Sequence, residues 1–95
     1  MTKLEEQFQW CIDTRDYLND LNQELIFVSK QYRQSVDDLR AFGYIAENMP
    51  HLEKICNQFK ENIDGMVSYV ENEHIAYVQG QSEIIKAELS REFGV

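Results

Sequence analysis

Glu71 and His74 stand three residues apart, the Glu-x-x-His spacing with which a helix presents two metal ligands on one face. A di-metal site of that kind also needs carboxylates from the opposing helices. If the chain folds back near residue 46, the stretch facing Glu71 lies around residue 21. Its inward positions there are Leu18, Leu21 and Leu25, while Asp20 and Glu24 point elsewhere. His74 therefore reads as a histidine in or beside a packing seam. His51 and Cys56 are five apart and fall on different helix faces, so that pair makes no zinc site and reads as a surface His and a core Cys. No Ser, Cys or His sits in a nucleophile motif, no glycine-rich phosphate loop is present, and the acids spread along the chain as a solvated face. The expectation is a protein that is not an enzyme and holds no metal or cofactor, so that its function lies in what it binds.

The elements that must position these residues are helices. Leu4, Cys11, Leu18, Leu25, Tyr32 and Leu39 recur every seven residues, and Phe8, Leu21, Val28, Val36 and Phe42 fill the other half of the stripe. That spacing predicts one helix with a buried seam over about residues 3–42. Thr2-Lys3-Leu4-Glu5 has the form of a capping box at its start. Gly43 suits a left-handed C-cap at its end, with Tyr44 free to pack back on Leu39. A bend over about 43–49 follows, and Pro50 suits the first helical position while disfavouring helix at Met49.

In the second arm Cys56, Ile63, Val70, Tyr77 and Ile84 are again spaced by seven. Leu52, Phe59 and Met66 hold the alternate positions, followed less convincingly by Glu73, Gly80 and Ala87. A second helix over about 50–93 follows, and with it a fold class: all-α, an antiparallel two-helix hairpin forming one domain over residues 1–95. The rival for "MVSYVENEHIAYVQG" is a β-hairpin between Gly65 and Gly80, on its β-branched and aromatic content. An isolated two-stranded hairpin is marginal in water, and the helical period holds on both sides of the segment. Each glycine then costs about 1 kcal/mol inside a helix, and marks either a weak place or the close approach of a partner. Cys11 and Cys56 face different parts of such a hairpin, so both thiols are expected to be free.

Composition narrows the partners. The 95 residues carry 9 Lys plus Arg against 17 Asp plus Glu, a net charge of -8. A chain so acidic is repelled by phosphate backbones and anionic lipid, which excludes nucleic acid and membrane surface. No apolar run is long enough for membrane insertion, and "MTKLEEQFQW" lacks the basic and apolar segments of a cleavable signal. The expected location is cytoplasmic, or outside the cell by export without such a signal.

Apolar surface is left over beyond the seam. Trp10, Tyr17, Ile12, Ile26 and Phe27 lie off the first stripe, and Val67, Ile75, Val78, Ile85 and Leu89 off the second. A lone hairpin has one internal interface, and this much uncovered apolar surface is unusual for a monomer. Pairing into a four-helix bundle would cover it, with Trp10, Tyr17, Ile26 and Phe27 as the partner-binding residues.

On this plan the chain resembles the WXG (early secreted antigen) family of small type VII secretion substrates, helical hairpins bent at a central Trp-x-Gly. Here the bend reads Arg40-Ala41-Phe42-Gly43-Tyr44, with Phe in place of Trp and directly abutting the Gly. The family's second mark, Tyr-x-x-x-Asp/Glu, is matched by Tyr69 and Glu73, some twenty residues earlier than usual. The resemblance implies an export substrate, or a targeting partner that pairs as a homodimer, or as a heterodimer with a related helical protein or the helical domain of a larger secreted protein. It also implies that Phe42, Gly43, Tyr44 and Pro50 shape the bend and that Tyr69 and Glu73 are a targeting motif, their alternative being a seam-flanking Tyr and a surface Glu. Outside that family, the remaining alternatives are an acidic inhibitor or DNA-mimic decoy of phage type and a structural coiled-coil subunit.

Overall fold

A computed structural model describes residues 2–42 and 49–93, and almost every one of them is helical. Helix α1 runs over Lys3–Ala41, α2 over Met49–Tyr69, a π-helical turn over Val70–Ile75, and α3 over Ala76–Phe93. The all-α helical hairpin expected from the sequence is the architecture found. No strand occurs among the described residues, which removes the β-hairpin rival for residues 66–80.

Thr2 starts α1 as predicted, with one difference. Its hydroxyl accepts the Glu5 N–H at 3.2 Å and donates to the Glu5 carboxylate at 3.1 Å, while the Thr2 carbonyl accepts the Glu6 N–H. The carboxylate thus meets the hydroxyl and not the backbone donor of the usual box. At the other end, the Phe42 N–H donates to the Asp38 carbonyl at 3.0 Å and its ring is 87% exposed. Phe42 is therefore not a seam residue. Gly43 and Tyr44, the centre of the expected bend, lie outside the described residues. Helix α2 begins at Met49, one residue earlier than expected, and exposed Pro50 sits in its first turn, where a missing N–H forfeits no helical bond.

The chain divides into two units: Asn22–Ser68, and Met1–Leu21 with Tyr69–Val95. In the Asn22–Ser68 unit the second half of α1 packs antiparallel on α2, because the contacts pair rising residue numbers with falling ones. Asn22 meets Val67, Tyr32 stacks on Phe59 with ring centroids 5.1 Å apart, and Arg33 meets Glu53. Its buried residues are Asn22, Val36, Cys56 and Ile63, with Leu25, Leu39, Leu52 and Phe59 half-buried around them. Val28 and Met66, expected in the seam, are about half exposed. Burying a Val or Ile side chain stabilises by roughly 1.5–3 kcal/mol, yet no large side chain among the described residues is fully enclosed. The core is a thin stripe.

In the other unit the first half of α1 is joined by the π turn and α3. Here the seam departs from the heptad pattern. Cys11, Val70, Ile75, Val78 and Ser82 are buried, and Ile85 and Leu89 are half-buried. Tyr77 and Ile84, expected in the seam, are exposed at 67% and 58%. The cause is the π turn. It admits one residue more than an α-helix would over the same length, so each seam position after Val70 passes to the next residue: Val78 for Tyr77, Ile85 for Ile84. Ile75, Val78, Ile85 and Leu89, four of the apolar residues that one regular helix would leave over, are thereby the seam itself. Ser82 occupies its seam position by donating its hydroxyl to the Gln79 carbonyl at 2.8 Å. Both cysteines are free and buried.

Candidate protein-binding surface

On α1, Trp10 and Tyr17 are seven apart and share a flank. They are 60% and 67% exposed. On α3, the residues that the π turn displaces from the seam, Tyr77 and Ile84, are likewise seven apart. Trp10 and Tyr77 line one shallow depression together with Gln7, Cys11, Gln81 and Ile85, which sets the two flanks on the same side of this unit. The result is an open surface built of Trp10, Tyr17, Tyr77 and Ile84, with the uncharged Gln7 and Gln81 between the helices.

The four residues expected to bind a partner are therefore not all alike. Trp10 and Tyr17 belong to this surface. Ile26 and Phe27 belong to the Asn22–Ser68 unit, where they line a separate depression with Gln23, Glu24 and Lys30. Phe27 is exposed there, but Ile26 is half-buried, so it offers less area than expected. Tyr77 and Ile84 were not read as surface residues from the sequence. The signal for them was present: a heptad continued through Val70 puts Glu73 and Gly80 on the stripe, beside a better apolar set displaced by one residue.

Tyr69 closes α2 with its ring exposed, and Glu73 is exposed within the π turn. The ring that meets Tyr69 is that of His74, edge-on at 5.1 Å between centroids. A five-residue separation brings side chains together here because the π turn has a longer period than the α-helix. Among the described residues no group of three or more His, Cys, Asp or Glu could hold a metal ion, and no helix is long and apolar enough to cross a membrane.

Charge is unevenly shared. The unit with the aromatic surface holds ten of the 17 acids and four of the 9 bases, Lys3, Arg15, Lys86 and Arg91. Arg15 pairs with Asp16, and Arg91 with Glu88. Glu6, Asp13 and Asp20, each seven apart and all exposed, form a column beside Trp10 and Tyr17 on α1. In the Asn22–Ser68 unit the charges clasp the two helices. Arg33 donates to Asp37 at 2.6 Å and to Glu53 at 2.9 Å, and Arg40 also reaches Glu53. The hydrogen bond from Arg33 holds the Asp37 carboxyl below the usual range, and the same bond raises the Arg33 guanidinium. Asp64 likewise raises Lys60 by a hydrogen bond one helical turn away.

No protein-family model, curated protein or solved structure matches this chain.

Proposed function

We propose that this chain is a non-enzymatic binding module that pairs with another helical protein through Trp10, Tyr17, Tyr77 and Ile84. The carrying observation is that three aromatic rings, 60–67% exposed, line one side of a single helix pair. Large amphipathic rings left in water over a thin seam are what an interface core is made of. Together with the hairpin plan, this supports the WXG-like reading: a type VII secretion substrate, or the targeting partner of a larger exported protein. On that reading the exposed Tyr69 and Glu73 are what a secretion receptor inspects. The partner is a second copy, a related hairpin or a helical domain of a larger protein.

A DNA-mimic decoy would place carboxylates where these rings stand, which makes it the weaker reading.

The experiment is thermal unfolding of the isolated chain alongside sedimentation equilibrium. A module completed by its partner is either oligomeric at tens of micromolar or melts low as a monomer. A monomer that melts cooperatively above about 60 °C, near the top of the ordinary range for mesophile domains, would overturn the proposal.

A further inference from the structure

We infer that the occupant of this surface is not a second copy of the chain but an amphipathic helix whose apolar stripe is bordered by Lys and Arg. The inference rests on the binding-module reading above and names the partner's chemistry.

The geometry selects a helix. Two helix flanks, each with large side chains seven apart, leave a channel along which a further helix can lay an apolar stripe, as in a bundle or a helix-in-groove complex. Trp10 on α1 and Tyr77 on α3 line its middle with the neutral Gln7 and Gln81, and the exposed Tyr17 and Ile84, each seven residues further along its own helix, extend the two flanks. Gly80 is one turn from both Tyr77 and Ile84, and a Cβ built on it meets nothing within 4 Å.

The charges select the sign. Glu6, Asp13 and Asp20 run parallel to Trp10 and Tyr17 along the same helix. The unit as a whole carries ten acids against four bases, two of which are already paired with Asp16 and Glu88. Two copies meeting here would bring like charges together around the contact, which opposes association and costs specificity. A helix with Lys or Arg at the edge of its apolar stripe gains from the same column and is steered to it.

Trp10 is the only Trp, so its emission reports directly on the surface. The probe is a synthetic helix of about 20 residues, long enough to hold helical structure, with Leu at i, i+3, i+4 and i+7 and Lys beside them. Its control carries Glu in place of Lys. The Lys helix is expected to shift Trp10 emission to the blue, with an affinity that falls roughly tenfold or more as salt rises and screens the column. Tyr77→Ser with Ile84→Ser should abolish the shift, whereas Ile55→Ser, in the other unit, should leave it unchanged. Equal binding of both helices, binding indifferent to Tyr77 and Ile84, or no binding at all would overturn the inference. A blue shift produced by raising the protein concentration alone, with a dimer in sedimentation, would also overturn it while leaving the binding-module reading intact. A stable monomer that binds neither helix would end both.

Discussion

Val70 and Ile75 are five residues apart, and both are buried. In an α-helix that spacing points two side chains in different directions, so the pair is compatible with one seam only through the π turn that spans it. The turn decides which residues of α3 are core and which are surface. Deleting Asn72, an exposed residue within it, should close the turn to α geometry and leave every seam residue from Ile75 onward in its present place. The variant should fold and melt within a few degrees of the wild type. Deleting Gln79 instead advances Glu83 and Lys86 into the seam positions of Ser82 and Ile85, and should remove cooperative melting. If circular dichroism shows the Asn72 deletion to be the more damaging of the two, the register assignment is wrong.

The helices themselves were legible because periodicity is a property of the sequence: α1 starts within a residue of its predicted position, and Cys11, Val36, Cys56 and Ile63 are buried as the stripe required. What was not legible was the phase of α3. A heptad through Tyr77 and Ile84 and a shifted set through Val78 and Ile85 both satisfy a helical period, and only the packing of the preceding turn chooses between them. Trp10 and Tyr17 are exposed, as their place off the stripe of a regular helix requires. Tyr77 and Ile84 were misplaced for the same reason that the heptad looked unbroken. Asn22 carries no sequence signal of burial, because polarity argues for solvent unless a specific acceptor is in reach.

Gly65 and Gly80 lie inside helices, and a Cβ at either would meet nothing within 4 Å. Glycine there retains backbone freedom in the unfolded chain with no packing return. Gly65→Ala and Gly80→Ala should each stabilise by up to about 1 kcal/mol, additively, because they sit in different units. Urea unfolding of the two single variants and the double variant tests this. A loss of stability in either single variant would show that its glycine meets a constraint absent from open helix.

Asp37 is held below the ordinary carboxyl range by the hydrogen bond from Arg33. The folded chain therefore binds that proton more weakly than the unfolded one. The stability this adds is present above about pH 4, the ordinary Asp value, and is lost as pH falls through the folded value. The melting temperature of Asp37→Asn should lie below that of the wild type at pH 7, and the gap should close on acidification. Because both side chains are partly exposed, salt should narrow it as well. A gap that stays constant down to pH 2 would mean that Asp37 acts through packing and not through its charge.

Asn22 is 6% exposed and donates from Nδ2 to the Val67 carbonyl at 3.2 Å, while its Oδ1 is buried without a partner. One hydrogen bond gained and one acceptor left bare nearly offset each other, since a net bond contributes about 1 kcal/mol and a stranded buried group costs about 1–3. The residue is better explained by specificity: a single polar side chain in an apolar seam penalises every register in which it finds no acceptor. Asn22→Leu, which keeps the branch at Cγ and the number of side-chain heavy atoms, should leave stability unchanged or raise it by about 1 kcal/mol. Asn22→Asp should lose roughly 2 kcal/mol or more at pH 7, where a carboxylate would face a carbonyl in a buried position. That folded carboxyl would titrate above its unfolded value, so the loss should fade as pH falls toward about 4 and the group protonates. Urea titrations at neutral and acid pH measure both effects. A Leu variant weakened by more than 1 kcal/mol would show instead that the amide's bond to Val67 outweighs its stranded oxygen, and that Asn22 holds the helices together by strength and not by selection.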